Sequence, residues 1–272
     1  MFTRLTFQFC YFVLVCAASI PLSAQKFVAG CAYPWGDLAE SHPIDKTCSI
    51  NGASKVPQKV AESKLKNHLC ATGAPTAIDY QTLIDLQKAV ENDPSIHLGN
   101  RETPDRPMKA YDTDKGSLKE GNLITLAAWV IVARNSDLSS GENVNCNAKK
   151  DKASNDIHIV LAQLVSHSDI DEEECDSETA EAIPHGRPTS WSTDNINSFR
   201  DHPFRFTGQL FLDSDHTPCS NGKGSPARAS VWEIHPLYQI EVCKFTSAAK
   251  CSPTSDTAWT PLNEWVEGGT KK

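Results

Sequence analysis

The second half of the chain is marked by segments that alternate apolar and polar side chains or run continuously apolar, with turn-forming residues between them. Residues 123–133 form a continuous run, apolar but for Thr125 and biased toward Val, Ile and Trp, as expected of a strand buried on both faces. Residues 156–164 alternate at their start, and residues 178–183 are short and end at Pro184. Residues 204–213 alternate clearly, with Phe204, Phe206, Leu210 and Leu212 on one face and Arg205, Thr207, Gln209 and Asp213 on the other. Gly208 sits at their centre, where a barrel strand bends. Residues 230–243 form the last long strand, with Pro236 marking a kink, bulge or edge. Between the third and fourth of these segments, Ser192 or Thr193 caps a short helix through Phe199.

The N-terminal half reads differently. Residues 57–69 place Val60, Ala61, Leu65 and Leu69 at helical spacing. Residues 80–90 place Tyr80, Leu83, Ile84 and Val90 likewise, with Asp79 as N-cap. Pro94, Pro104 and Pro107 interrupt any period up to about residue 121. Three strands, a helix and two strands is the order of an OB-type barrel, a five-stranded Greek key. The expected fold class is therefore mainly β with α: an OB-like barrel at 122–245, preceded by a small helical, disulfide-stapled region at 25–95 and a linker at 96–121. Residues 246–272 form a tail whose Trp259 and Trp265 either pack on the barrel or hang free. A generic small sandwich is the competing architecture.

Residues 1–24 read as a secretory signal peptide: Arg4 is the only charge before Lys26, Phe9 to Leu22 is apolar, and Leu22-Ser23-Ala24 offers a cleavage site. Cleavage leaves Cys31, Cys48, Cys70, Cys146, Cys175, Cys219, Cys243 and Cys251. Together these predict an exported, periplasmic or extracellular chain with disulfides, since an even cysteine count in such a chain implies pairing. Val28-Ala29-Gly30-Cys31 suits lipid anchoring at Cys31, but Gln25 and Lys26 separate it from the apolar run, and ordinary export is the preferred reading. No later stretch is apolar enough to span a membrane. The net charge of −8 is concentrated in residues 121–245. It disfavours a nucleic-acid partner and leaves a small molecule, saccharide, peptide, metal or protein.

The chemistry-bearing positions are two acid-x-His pairs, Asp156/His158 and Glu233/His235, each on one face of a strand with apolar residues on the other. In an OB topology His158, Glu181, Glu233 and His235 converge on one barrel face, with Asp213, Asp215 and His216 at its rim. Carboxylate with imidazole suits a divalent first-row metal. The competing reading is structural, each His being hydrogen-bonded to a neighbouring carboxylate. No Gly-x-Ser-x-Gly elbow, Gly-rich phosphate loop or His-Glu-x-x-His helix is present. Asp213-Ser214-Asp215 with Asn221 and Gly222 lacks the full EF-hand calcium pattern. Arg187 and Trp191 are expected to cover one barrel end rather than to stack on a ligand.

The segments Gly141-Glu142-Asn143-Val144-Asn145-Cys146, Asn155-Asp156-Ile157-His158-Ile159, Phe206-Thr207-Gly208-Gln209-Leu210-Phe211-Leu212-Asp213 and Trp232-Glu233-Ile234-His235-Pro236 resemble a group of exported, uncharacterised bacterial proteins with an OB-like domain, over about half the chain. That resemblance implies no activity. The Ile-Asp-Ala-Pro-Glu-like segment of staphylococcal-type nucleases is absent. The expected function is a non-catalytic binding or interaction domain of OB type. The alternative is a metal-dependent hydrolase, a phosphodiesterase or esterase, working from the His/carboxylate face.

Overall fold

A computed structural model describes residues 51–70, 73–136, 152–171 and 173–269. The signal segment, Cys31, Cys48 and Cys146 lie outside the described residues.

The long apolar run becomes β4 (Leu123–Asn135), and its length explains how the sheet closes. Its first half pairs antiparallel with β7 (Phe204–Leu212), from Leu123↔Gln209 to Ala128↔Phe204. Its second half pairs with β5 (Ile157–Ala162), from Trp129↔Ala162 to Asn135↔Ile157. A register shift between Val130 and Val132 bends the strand between its two partners. β5 then pairs with β6 (Glu178–Ala182), β6 runs parallel to β8 (Trp232–Cys243), and β8 returns antiparallel to β7. The cycle β4-β5-β6-β8-β7-β4 is a closed five-stranded barrel with OB strand order. The edges that closure leaves on β4 and β8 are covered by two further short strands, described below.

Gly208 permits β7 and β8 to approach closely. A Cβ there would sit 2.5 Å from the Pro236 carbonyl oxygen and 2.6 Å from Ile234 Cγ2, and the β7–β8 register shifts on both sides of it. Inside the barrel, Ile124, Leu126, Ile159, Leu161, Phe204, Phe206, Leu210, Trp232 and Ile234 form one core. The helix between β6 and β7, numbered α3 below (Thr193–Ser198), is capped by Ser192 and buries Ile196 in that core.

Two helices precede the barrel. α1 (Pro57–Lys66) ends three residues earlier than its spacing predicts. α2 (Tyr80–Glu91) begins at an Asp79/Thr82 capping box and buries Leu83, Leu86 and Val90 in the main core. A short strand β1 (Thr76–Ile78) lies between the helices and pairs parallel with β4. The stretch expected as a linker carries a hairpin, β2 (Tyr111–Thr113) with β3 (Gly116–Leu118). Its Tyr111 and Leu118 join the core, a contribution that isolated apolar residues among prolines do not announce. The tail packs on the barrel: β9 (Trp259–Pro261) pairs with β8, and α4 (Leu262–Gly269) sets Trp265 edge-on against Phe199.

Cys175 pairs with Cys219 and Cys243 with Cys251, while Cys70 is also a half-cystine. The first bridge ties the loop between β5 and β6 to the loop between β7 and β8. Such bridges are characteristic of proteins that fold outside the reducing cytosol. Among the described residues no helix is long and apolar enough to cross a membrane.

Candidate functional site

Strand alternation puts the acid-His pairs on the outer wall. Ile157, Ile159, Ala180, Ala182, Trp232 and Ile234 face the core, so His158, Glu181, Glu233 and His235 face away from it. Register then decides who meets whom. His158 is directly opposite Glu181 across β5–β6. The parallel pairs Thr179↔Glu233 and Ala180↔Ile234 bring Glu181 alongside His235. The convergence that an OB order predicts for these four residues is present.

The result is a chain of alternating charges. His158 Nε2 lies 3.4 Å from Glu181 Oε1, and His235 Nδ1 lies 3.0 Å from Glu181 Oε2. The same Nδ1 lies 3.3 Å from Glu233 Oε1. Arg228 Nη1 donates to Glu233 Oε2 at 2.8 Å, and its Nη2 donates to Asp213 Oδ2. His216 Nδ1 completes the line, 2.6 Å from that same Asp213 oxygen. Asp213 and His216 are thus joined to the His235 cluster through Arg228 and are not ligands beside it. Asp156, at the lip of β5, comes close to Glu181 and His235.

The polar side chains face outward from the barrel core, as strand alternation requires, but the wall they form is covered rather than open. His235 and Arg228 are completely buried, Glu233 and Asp156 nearly so, and among the site's histidines His158 and His216 keep partial exposure. Helix α1 lies against β8 and contributes to the cover. Gln209 Nε2 donates to the Leu65 carbonyl at 2.8 Å, and His68 Nδ1 lies 2.7 Å from Gln209 Oε1. Glu62, Ser63, Lys66 and Asn67 are the buried residues of this segment, whereas Ala61 is exposed and Val60 and Leu65 are only half-buried. The apolar stripe read from the sequence is therefore not the docked face. Lys66 Nζ and the Arg106 guanidinium stand 5.4 Å and 5.1 Å from the centre of the Phe211 ring, and that ring leans on His235.

Burial sets the electrostatics. It pulls the His235 pKa down, but Glu181 and Glu233 overcome it and carry the imidazole up to about 10. Burial raises Glu181, yet His158, His235 and Lys66 hold its carboxyl well below the usual range. Glu233 is pushed up by burial and by the neighbouring Glu181. Arg228 bridges Asp213 and Glu233, so two buried carboxylates share one guanidinium in addition to His216 and His235.

Metal-ligating atoms of Asp156, Glu181 and His235 all lie within 4.8 Å of one another. His235 Nε2 and His158 Nε2 have no hydrogen-bond partner among the described residues. Two carboxylates with imidazole form a donor set for a borderline divalent ion. Arg187 lies at the edge of the site: it donates to the carbonyls of Asn155 and Ala182 and interacts electrostatically with Asp156, and Trp191 packs against the core as a barrel-end cover.

Sequence reasoning missed Arg228, Glu62 and Lys66. Arg228 sits in a Ser/Pro/Gly-rich connection with no periodic signal, and the other two lie on what reads as the wet side of a helix. Comparison with family models, curated proteins and solved structures gives no match, so the functional reading rests on the geometry.

Proposed function

We propose that this chain is an exported, non-catalytic binding domain of OB type. Its ligand is a divalent cation held on the outer barrel wall by Asp156, Glu181 and His235, with His158 alongside. One observation carries this reading: ligand atoms of three buried groups, Asp156, Glu181 and His235, meet within 4.8 Å, with His235 Nδ1 itself 3.0 Å from Glu181 Oε2. Export is supported by the apolar segment before residue 24 and by the two bridges. Burial favours holding over hydrolysis. A hydrolytic metal needs a position open to water and substrate, and the relative exposures of Asp156, Glu181 and His235 are only 2%, 7% and 0%.

The ion must displace the proton that Glu181 and Glu233 stabilise on His235. Affinity therefore rises with pH, by up to about tenfold per unit, and levels off above pH 10, where His235 becomes mostly neutral. Calorimetry on chelator-stripped protein checks this. One equivalent of Zn2+, the ion suited to the imidazole-containing site, is expected, with the pH slope of a single released proton, and Glu181→Gln or His235→Ala abolishes its uptake. Failure of the folded wild type to bind Zn2+ stoichiometrically would remove the proposal.

A further inference from the structure

Apart from the His235 cluster, a second set of carboxylates meets where α1 touches the barrel rim. Ligand oxygens of Glu62, Asp213 and Asp215 lie within 4.8 Å of one another. Each carboxylate engages one oxygen with a basic group and leaves the other without a hydrogen bond. Glu62 Oε2 accepts from Lys59 Nζ at 3.3 Å, Asp215 Oδ2 accepts from the same ammonium, and Asp213 Oδ2 receives Arg228 and His216. Glu62 Oε1, Asp213 Oδ1 and Asp215 Oδ1 are buried and have no hydrogen-bond partner in the described residues, the nearest cation to the first being Lys66 Nζ at 3.7 Å. Glu62 is fully buried and Asp213 is 4% exposed, so water does not satisfy them as it would a surface acid.

We propose that Glu62, Asp213 and Asp215 form a second, all-oxygen site for a hard divalent cation of the Ca2+ class, which clamps α1 to the barrel. The donors contain no nitrogen or sulfur, the preference of hard ions. The site already holds a cation, the Lys59 ammonium, placed between two of the three carboxylates. That side chain is 21% exposed on a helix flank, so it can leave toward solvent when a divalent ion enters. The pair Asp213-Ser214-Asp215 is too sparse for a calcium loop in sequence; the third acid arrives from a helix roughly 150 residues earlier, which only folding supplies.

The test is equilibrium dialysis of the full, chelator-stripped chain against radiolabelled Ca2+, with limited proteolysis around residues 57–66 as a second readout. The wild type is expected to bind one Ca2+ and to become protected in α1. Glu62→Gln and Asp215→Asn should each weaken binding by at least about tenfold, and Lys59→Met should tighten it by a similar factor. His235→Ala should leave Ca2+ binding intact, which separates this site from the Asp156/Glu181/His235 site. Undiminished binding in folded Asp215→Asn and Glu62→Gln, or no Ca2+ bound by both the wild type and Lys59→Met, overturns the proposal.

Discussion

The two N-terminal helices seat on the same barrel by opposite means. α2 lays Leu83, Leu86 and Val90 on the core and starts at a closed capping box, so it is held by apolar burial and local hydrogen bonds. α1 turns Glu62, Ser63 and Lys66 inward, onto a wall lined by Asp213, Glu233 and His235. The difference teaches that the docked face of a helix is selected by the surface it covers. An apolar stripe finds its place only where the receiving wall is apolar. Over a charged wall, the residues that supply counter-charges go in, because burying unpaired ions costs more than leaving a Val or Leu half-wet.

The most severe way to break the comparison is at its charged side. Arg228→Met removes the buried cation that joins Asp213 to Glu233, leaving only His216 and His235 to offset them, and should cost about 3–5 kcal/mol in urea unfolding. A loss below about 1 kcal/mol would show that the two carboxylates find other relief. On the apolar side, Leu83→Ala in α2 should cost about 2–5 kcal/mol, depending on how far the barrel end collapses into the void, and should leave the pH dependence of stability unaltered. A changed pH profile in that variant would mean that the two seats are coupled.

The smallest effect is the one that sharpens the contrast. His235 has a raised pKa in the folded state, so its contribution is complete below about pH 6.5, the unfolded value, and is lost as pH climbs toward about 10. Unfolding free energy should fall by on the order of 2 kcal/mol over that window, discounted for the coupling of His235 to two carboxylates. Amide exchange should show the loss first in α1 and not in α2. His235→Gln should flatten the limb, and a limb unchanged in that variant would shift the titration to another group.

Much of the fold was legible in the primary structure. All five barrel strands and the helix between the third and fourth fall within a few residues of where alternation and capping place them, and Gly208 marks the close approach of β7 to β8. The faces of the acid-His pairs followed from period two alone. The interior arrangement of the site was not legible. Nothing in residues 214–229 signals that Arg228 is its central cation, and helical spacing in α1 selects Val60, Ala61 and Leu65 over the face that docks. The hairpin at 111–118 escaped for a related reason: three-residue strands are too short to show a period.

Sequence by itself thus determined which side of each strand carries the ionisable groups, since steric alternation along a backbone is a local property. The tertiary structure alone decided that Asp156, Glu181 and His235 share one small volume, that Arg228 neutralises it, and that α1 adds its own carboxylate and lysines over it. Meetings between residues far apart in the chain depend on register and barrel closure, and the electrostatics of a buried group depends on every charge brought beside it, so neither is written in any single segment.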